Sequence, residues 1–255
     1  MTQSIAVANA KGGVAKTTTA LSLGAALVEQ GKRVLLIDLD PHANMTISLG
    51  YKPSSLSPTI ADVFLGDCLI EDAIYGTPVD RLSLIPSNHT LTLAENHLMV
   101  RDRYQLILRD ALSQLDGFDV FVLDCPPTLS TLTQNALAAA RILIIPAQPE
   151  YYSAHALRDM LNLILAIRQR NNPELRYRIL LTMLDTRNRI HRSLAKQIRT
   201  AFSQAVFETQ IEIDTRLRES PLFGQSILQY APQSRASKQY QALAQELRRY
   251  THELD

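Results

Sequence analysis

Two lysines, three aspartates and a pair of threonines are spaced along the first half of this chain in a way that suits phosphate chemistry. Lys11-Gly12-Gly13-Val14-Ala15-Lys16-Thr17-Thr18 follows a short aliphatic run, Ser4–Asn9, and leads into a segment of helical period, Thr17–Gln30. A glycine-bearing loop between a strand and a helix aims successive backbone N–H groups, and the positive end of the helix, at a chain of phosphates. Lys16 then reaches the β- and γ-phosphates, and the Thr17 hydroxyl ligates Mg2+. The string departs from G-x-x-x-x-G-K-[ST] at both glycines, which are Ala10 and Ala15 here. If the backbone at Ala15 must be left-handed, its Cβ costs roughly 1–2 kcal/mol. A glycine-rich turn with incidental lysines is the bland alternative. The strand before, the helix after and two acidic strand ends further on outweigh it.

Those acidic ends are Asp38-Leu39-Asp40-Pro41-His42-Ala43-Asn44, closing the run Arg33–Asp38, and Asp124, closing Val120–Asp124 ahead of Cys125-Pro126-Pro127. Phosphoryl transfer to water needs a carboxylate to orient the nucleophile and a cation to spread the developing charge. Asp124 is placed to hold Mg2+ through water, and the two prolines stiffen the turn that follows. Carboxylates at i and i+2 of a strand end are often only turn formers; the upstream loop favours the functional reading. Cys125 has no matching Cys or His spacing and is read as a packed core residue, not a nucleophile or metal ligand.

Positioning these groups requires a sheet. Further aliphatic runs at Leu82–Pro86, Ile142–Pro146 and Arg178–Leu184 are near-continuous rather than alternating, as in strands covered on both faces. Between them the periodicity predicts helices at about Arg103–Leu115, Ser130–Ala140 and Ala154–Arg170, with a last one over Ser237–Leu254. The expectation is an α/β fold: a doubly wound, mostly parallel sheet flanked by helices, in a single domain over 1–255. Residues 45–80, rich in turn signals, read as an insertion packed on that domain. At 255 residues the chain is long enough for a sizeable core. Two cysteines cannot build a disulfide framework, and a reducing, cytoplasmic compartment is the default. No signal peptide, membrane span, repeat or low-complexity segment is read.

Net charge is +1, but residues 1–150 carry −5 and residues 151–255 carry +6. Arginine outnumbers lysine 20 to 6, a bias toward groups that fork onto phosphates. Such a split suits a polyanion partner for one face, as well as ordinary solvated helices.

With both lysines in place, K-G-G-x-x-K-T-T resembles the deviant Walker A box of the ParA/MinD superfamily of P-loop ATPases. D-x-D-P-x-G-N, with Ala43 at the glycine, resembles that family's switch I. The stretch LTQNALAAARILIIPAQPEYYSAHAL also resembles small, Soj-like ParA proteins, so the likeness is good over residues 4 to about 165. The resemblance implies a P-loop NTPase fold with ATP and Mg2+ as cofactors, and an ATP-dependent homodimer in which Lys11 crosses to the partner's nucleotide. It assigns catalysis to Asp40, Lys11 and Lys16. Nucleotide binding falls to Lys11, Gly12, Gly13, Val14, Ala15, Lys16, Thr17 and Thr18, with Met183 and Glu212 near the base. Thr17, Asp38 and Asp124 are the metal residues, and Arg187, Arg189, Arg216 and Arg218 the contacts to non-specific DNA. Relatives commonly show Pro-Arg-Asn where this chain has Glu212-Ile213-Asp214. The implied role is nucleoid-associated positioning or segregation of a cargo: a plasmid, a chromosome origin or a protein organelle such as a carboxysome. A ParB-like or small adaptor protein would stimulate hydrolysis. The first strand begins too early for a preceding helix-turn-helix. Against a MinD-like membrane switch, the alternative, stands the polar, acidic-tipped Tyr250–Asp255. Against an electron-transfer ATPase stands the lack of paired cluster cysteines.

Overall fold

Strands that are aliphatic along their whole length need cover on both faces, and here they receive it. The structure is a computed structural model describing residues 2–151 and 153–252, without the side chains of Ala154 and His252. Its strands are β1 (Gln3–Val7), β2 (Val34–Asp38), β3 (Tyr75–Gly76), β4 (Leu82–Ile85), β5 (Val120–Asp124), β6 (Ile142–Ala147), β7 (Arg176–Leu184) and β8 (Val206–Glu212). They form one sheet in the order β3-β4-β2-β5-β1-β6-β7-β8. All neighbours are parallel except β3, which runs antiparallel to β4. Along β2, Leu35 and Ile37 enter one helical layer, and Val34 and Leu36 enter the other. The doubly wound architecture expected from the runs is therefore present.

Two strands were not foreseen. β8 (VFETQIE) mixes charged with apolar residues, as an edge strand can, and so lacks the continuous aliphatic signature. β3 is two residues long and belongs to the segment read as an insertion, which supplies an edge of the sheet as well as packing on it. The helix expected over Arg103–Leu115 is shorter: a 3-10 turn at Tyr104–Leu106 runs into a helix at Ile107–Leu112. The last helix spans Arg235–His252; Leu254, its expected end, lies outside the described residues.

The strand order reverses at β1, between β5 and β6, which opens a crevice at the carboxyl ends of the strands where such folds bind ligands. The helix that follows β1, Lys16–Glu29, lies close on β2: a Cβ at Gly24 would stand 2.6 Å from Leu36 Cδ2. Its other flank meets the last helix, where the Thr19 and Tyr240 hydroxyls are 3.2 Å apart and both residues are fully buried. The C-terminal helix thus clamps the helix that carries the phosphate loop.

Tyr240→Phe strands the Thr19 hydroxyl in the core and should cost about 1–2 kcal/mol in urea unfolding. Adding Thr19→Val should recover part of that loss; a double variant no better than the single one would contradict the pairing.

Candidate functional site

The phosphate loop is shaped by backbone conformations that glycine usually supplies. Gly13 has φ 72°, and Ala15, at the helix N-cap, sits in the left-handed region at φ 65°, ψ 37°. The strain suspected at Ala15 is therefore real, and Ala43 repeats it at φ 54°, ψ 36°. No side chain caps the helix that begins at Lys16, so its first-turn N–H groups face the crevice. Two long-range bonds and one local bond fix the loop. Asn9 donates to the Pro146 carbonyl at 2.7 Å and accepts from the Lys11 N–H at 3.0 Å, while the Thr182 hydroxyl donates to the Val14 carbonyl at 3.0 Å. Lys16 is buried and donates to the Lys11 carbonyl at 3.1 Å. Burial lowers its pKa, opposed by Asp124, then Cys125 and Asp40. Lys11 forms an ion pair with Glu150.

Register sets the carboxylates side by side. Asp38 and Asp124 are partners across β2 and β5, and both are fully buried. Asp38 is heavily bonded: its Oδ2 accepts from the Thr46 N–H at 2.9 Å and the Thr46 hydroxyl at 2.7 Å, and its Oδ1 accepts from the Asp40 N–H at 3.1 Å. Burial still pushes its carboxyl up to about 6. Asp124 is different. Neither of its oxygens meets hydrogen-bond geometry with any described group, although the Thr17 hydroxyl lies near enough to favour the ionised form. Burial, then Asp38, pushes its carboxyl well above the usual range.

A buried carboxylate with both oxygens unpartnered, beside a threonine hydroxyl and a second carboxylate, has the donor chemistry of a hard cation and its waters. No group of three or more His, Cys, Asp or Glu among the described residues could hold a metal alone. That fits Mg2+, which relies on phosphate oxygens and water more than on a protein cage. Asp40 is buried two residues beyond the end of β2, its Oδ1 accepting from the His42 N–H at 2.9 Å and contacting the His42 ring at 2.8 Å. Burial also raises the Cys125 thiol, consistent with its reading as an inert core residue.

A cavity of about 250 Å3 adjoins the loop, lined by Gly13, Ala15 and Thr18 on one side and by Met183, Ile211, Leu217 and Arg218 among others on the other. Its walls suit a flat heterocycle. Met183 and Glu212 both line it, but the Glu212 carboxylate is committed to Arg235 at 2.9 Å. A neighbouring cavity, lined by Asp185, Thr186, Arg187 and Arg235, shares Glu212 and Ile213 with the first. The basic residues divide accordingly. Arg218 is exposed and lines the first cavity, and Arg187 is 92% exposed with Nε 3.3 Å from Asp185. Arg189 is exposed as the first residue of helix Arg189–Phe202, which Asn188 caps. Arg216, also exposed, begins the short helix Arg216–Glu219. The site residues not anticipated were Asn9, Thr46, Glu150, Thr182, Ile211 and Leu217. Their roles depend on long-range pairings without a local signature.

A family described as an AAA domain matches residues 2–177. The chromosome partitioning protein ParA of Myxococcus xanthus is 40% identical over 245 residues, 95% of this chain and 87% of that protein. The sporulation initiation inhibitor protein Soj of Bacillus subtilis is 38% identical over 245 residues, 95% of this chain and 97% of its own. Among solved structures, cobyrinic acid a,c-diamide synthase from Mycobacterium smegmatis with bound ADP and magnesium superimposes with a TM-score of 0.87. It is 37% identical, over 99% of this chain and 96% of that one.

The carboxylate pair also makes a pH prediction. Asp38 has a folded-state pKa raised from 3.8 to about 6, so ionising it costs folding free energy as pH climbs through that window. Asp38→Asn removes the cost. Relative to the parent, the nucleotide-free variant should gain up to about 3 kcal/mol between roughly pH 4 and pH 8 in urea unfolding. An offset independent of pH would contradict the assignment.

Proposed function

The chain belongs to the ParA/MinD family of P-loop ATPases, and from that premise we propose that it is a nucleotide-switched positioning ATPase acting on DNA. The observation that carries this reading is the uncapped first turn of helix Lys16–Glu29 beside the unpartnered oxygens of buried Asp124. The loop N–H groups and Lys16 bind the phosphates of ATP, Thr17 and Asp124 hold Mg2+, and Asp38 fixes that end of the site through Thr46. When bound, Mg2+ neutralises phosphate charge and removes the like-charge penalty between the two aspartates. Asp40 orients the attacking water. Met183, Ile211 and Leu217 pack on the base.

Lys11 exchanges Glu150 for the nucleotide of a second copy, so that the homodimer forms only with ATP. The cavity that takes the base and the neighbouring cavity lined by Arg187 share Glu212 and Ile213. Ordering that segment around a nucleotide therefore bears directly on the basic surface. The ATP dimer binds nucleoid DNA through phosphate neutralisation, with an affinity that falls steeply with salt. Hydrolysis, stimulated by a partner protein carried on the cargo, releases it.

Three variants test this. Lys16→Ala should lose nucleotide binding by at least about a hundredfold in fluorescence titration; retained affinity would remove Lys16 from the site. Asp40→Ala should accumulate an ATP-bound dimer by light scattering with little phosphate release, and unchanged release would exclude it as the water-orienting group. Arg187→Glu with Arg189→Glu should keep ATP binding and lose the DNA gel shift. These positions are cleaner than Arg218, which faces the nucleotide cavity. ATP-dependent pelleting with liposomes in the absence of DNA binding would replace this reading with a membrane switch.

A further inference from the structure

The turn after β2 brings an imidazole onto the carboxylate proposed to orient water. Asp40, Pro41, His42 and Ala43 form a tight turn closed by the Ala43 N–H on the Asp40 carbonyl at 2.8 Å, with Ala43 in the left-handed region. Within it, the His42 backbone N–H lies 2.9 Å and its ring Nδ1 2.8 Å from the same oxygen, Asp40 Oδ1. Among the described residues no other side chain hydrogen-bonds this carboxylate. Of the other charged groups nearby, Asp124 is a buried like-charged carboxylate that makes no hydrogen bond to Asp40, and the rest are engaged elsewhere. Asp38 is held by Thr46 and the Asp40 N–H, Lys16 by the Lys11 carbonyl, and Lys11 by Glu150. The burial of the pair is asymmetric: the Asp40 side chain is 8% exposed and that of His42 78%.

We propose that His42 is a positioning residue for hydrolysis, its Nδ1–H holding Asp40 Oδ1 so that Oδ2 is turned toward the attacking water. This rests on the ATPase reading above and adds a residue to it. A carboxylate that orients water loses efficiency if it rotates about its last bond, because only some rotamers present a lone pair to the reacting centre. The backbone N–H and the ring bind one oxygen from two directions, which removes that freedom and leaves the second oxygen unclaimed by the turn. Both the Nδ1–H neutral tautomer and the imidazolium can make the bond, since each carries a proton on Nδ1. The ring is outside the phosphate loop, and among the described residues its one hydrogen-bonded side-chain partner is Asp40. Its effect is therefore expected on turnover and not on substrate binding.

The test is basal hydrolysis of Mg2+-ATP by the full chain, read as kcat and KM. His42→Ala should lower kcat about tenfold, the scale of one hydrogen bond to a charged group, with KM changed less than about twofold. His42→Asn, whose amide can donate from near the position of Nδ1, should restore most of kcat. In an Asp40→Asn background, His42→Ala should produce no further loss. Wild-type kcat in His42→Ala beside an inactive Asp40→Asn would overturn the positioning role and leave the ATPase reading standing. A His42→Ala defect confined to KM, or one that His42→Asn does not relieve, would also overturn it. Absence of hydrolysis in the parent chain would overturn both.

Discussion

Two carboxylates forced together in the buried interior are the constraint around which this molecule is organised. Parallel pairing of β2 with β5 puts Asp38 opposite Asp124, on strands about 4.8 Å apart, and the helical layers bury both. In that setting the pair cannot carry two charges unaided. Thr46 and the Asp40 N–H support Asp38, but among the described residues none meets hydrogen-bond geometry with Asp124, and the buried cation Lys16 is bonded to the Lys11 carbonyl. Either a proton or a cation must make up the difference. A phosphate loop one strand away, with the first turn of its helix uncapped, provides the complementary deficit of negative charge. Each half of the site is uncomfortable alone, and Mg2+-nucleotide satisfies both.

The two left-handed alanines flank this centre, Ala15 on the phosphate loop and Ala43 on the switch I turn. Each holds a conformation that costs an L-residue on the order of 1 kcal/mol. Surrounding bonds hold them there: Thr182 and Asn9 brace the loop, and the Ala43 N–H closes the turn onto Asp40. Lys11, the other lysine of the loop, is held by its ion pair with Glu150.

Much of this was legible in the sequence, because the phosphate loop and both acidic strand ends are contiguous strings whose chemistry follows from residue type and spacing. The continuous aliphatic runs of β2, β5 and β6 likewise announced a sheet covered on both faces. What escaped was set by distance or by compromise. β8 is an edge strand with Glu208 and Gln210 in its middle, so its pattern resembles a polar loop. Glu212, expected near the base, lines the cavity beside the loop with its carboxylate paired to Arg235. Arg218, expected at DNA, is exposed and lines the same cavity. Asn9 and Thr182 act through partners 137 and 168 residues away, which no window of sequence spans, and Thr46 reaches back eight residues to Asp38 only because the turn between them folds over.

The central claim is that the Asp38–Asp124 pair retains a proton that Mg2+-nucleotide displaces. Calorimetric titration of pre-formed Mg2+-ATP into the chain, in buffers of different ionisation enthalpy, counts that proton directly. The account predicts proton release on binding that falls as pH rises and is largely lost in Asp124→Asn. Binding that exchanges no proton at any pH, or the same release from Asp124→Asn, would contradict it.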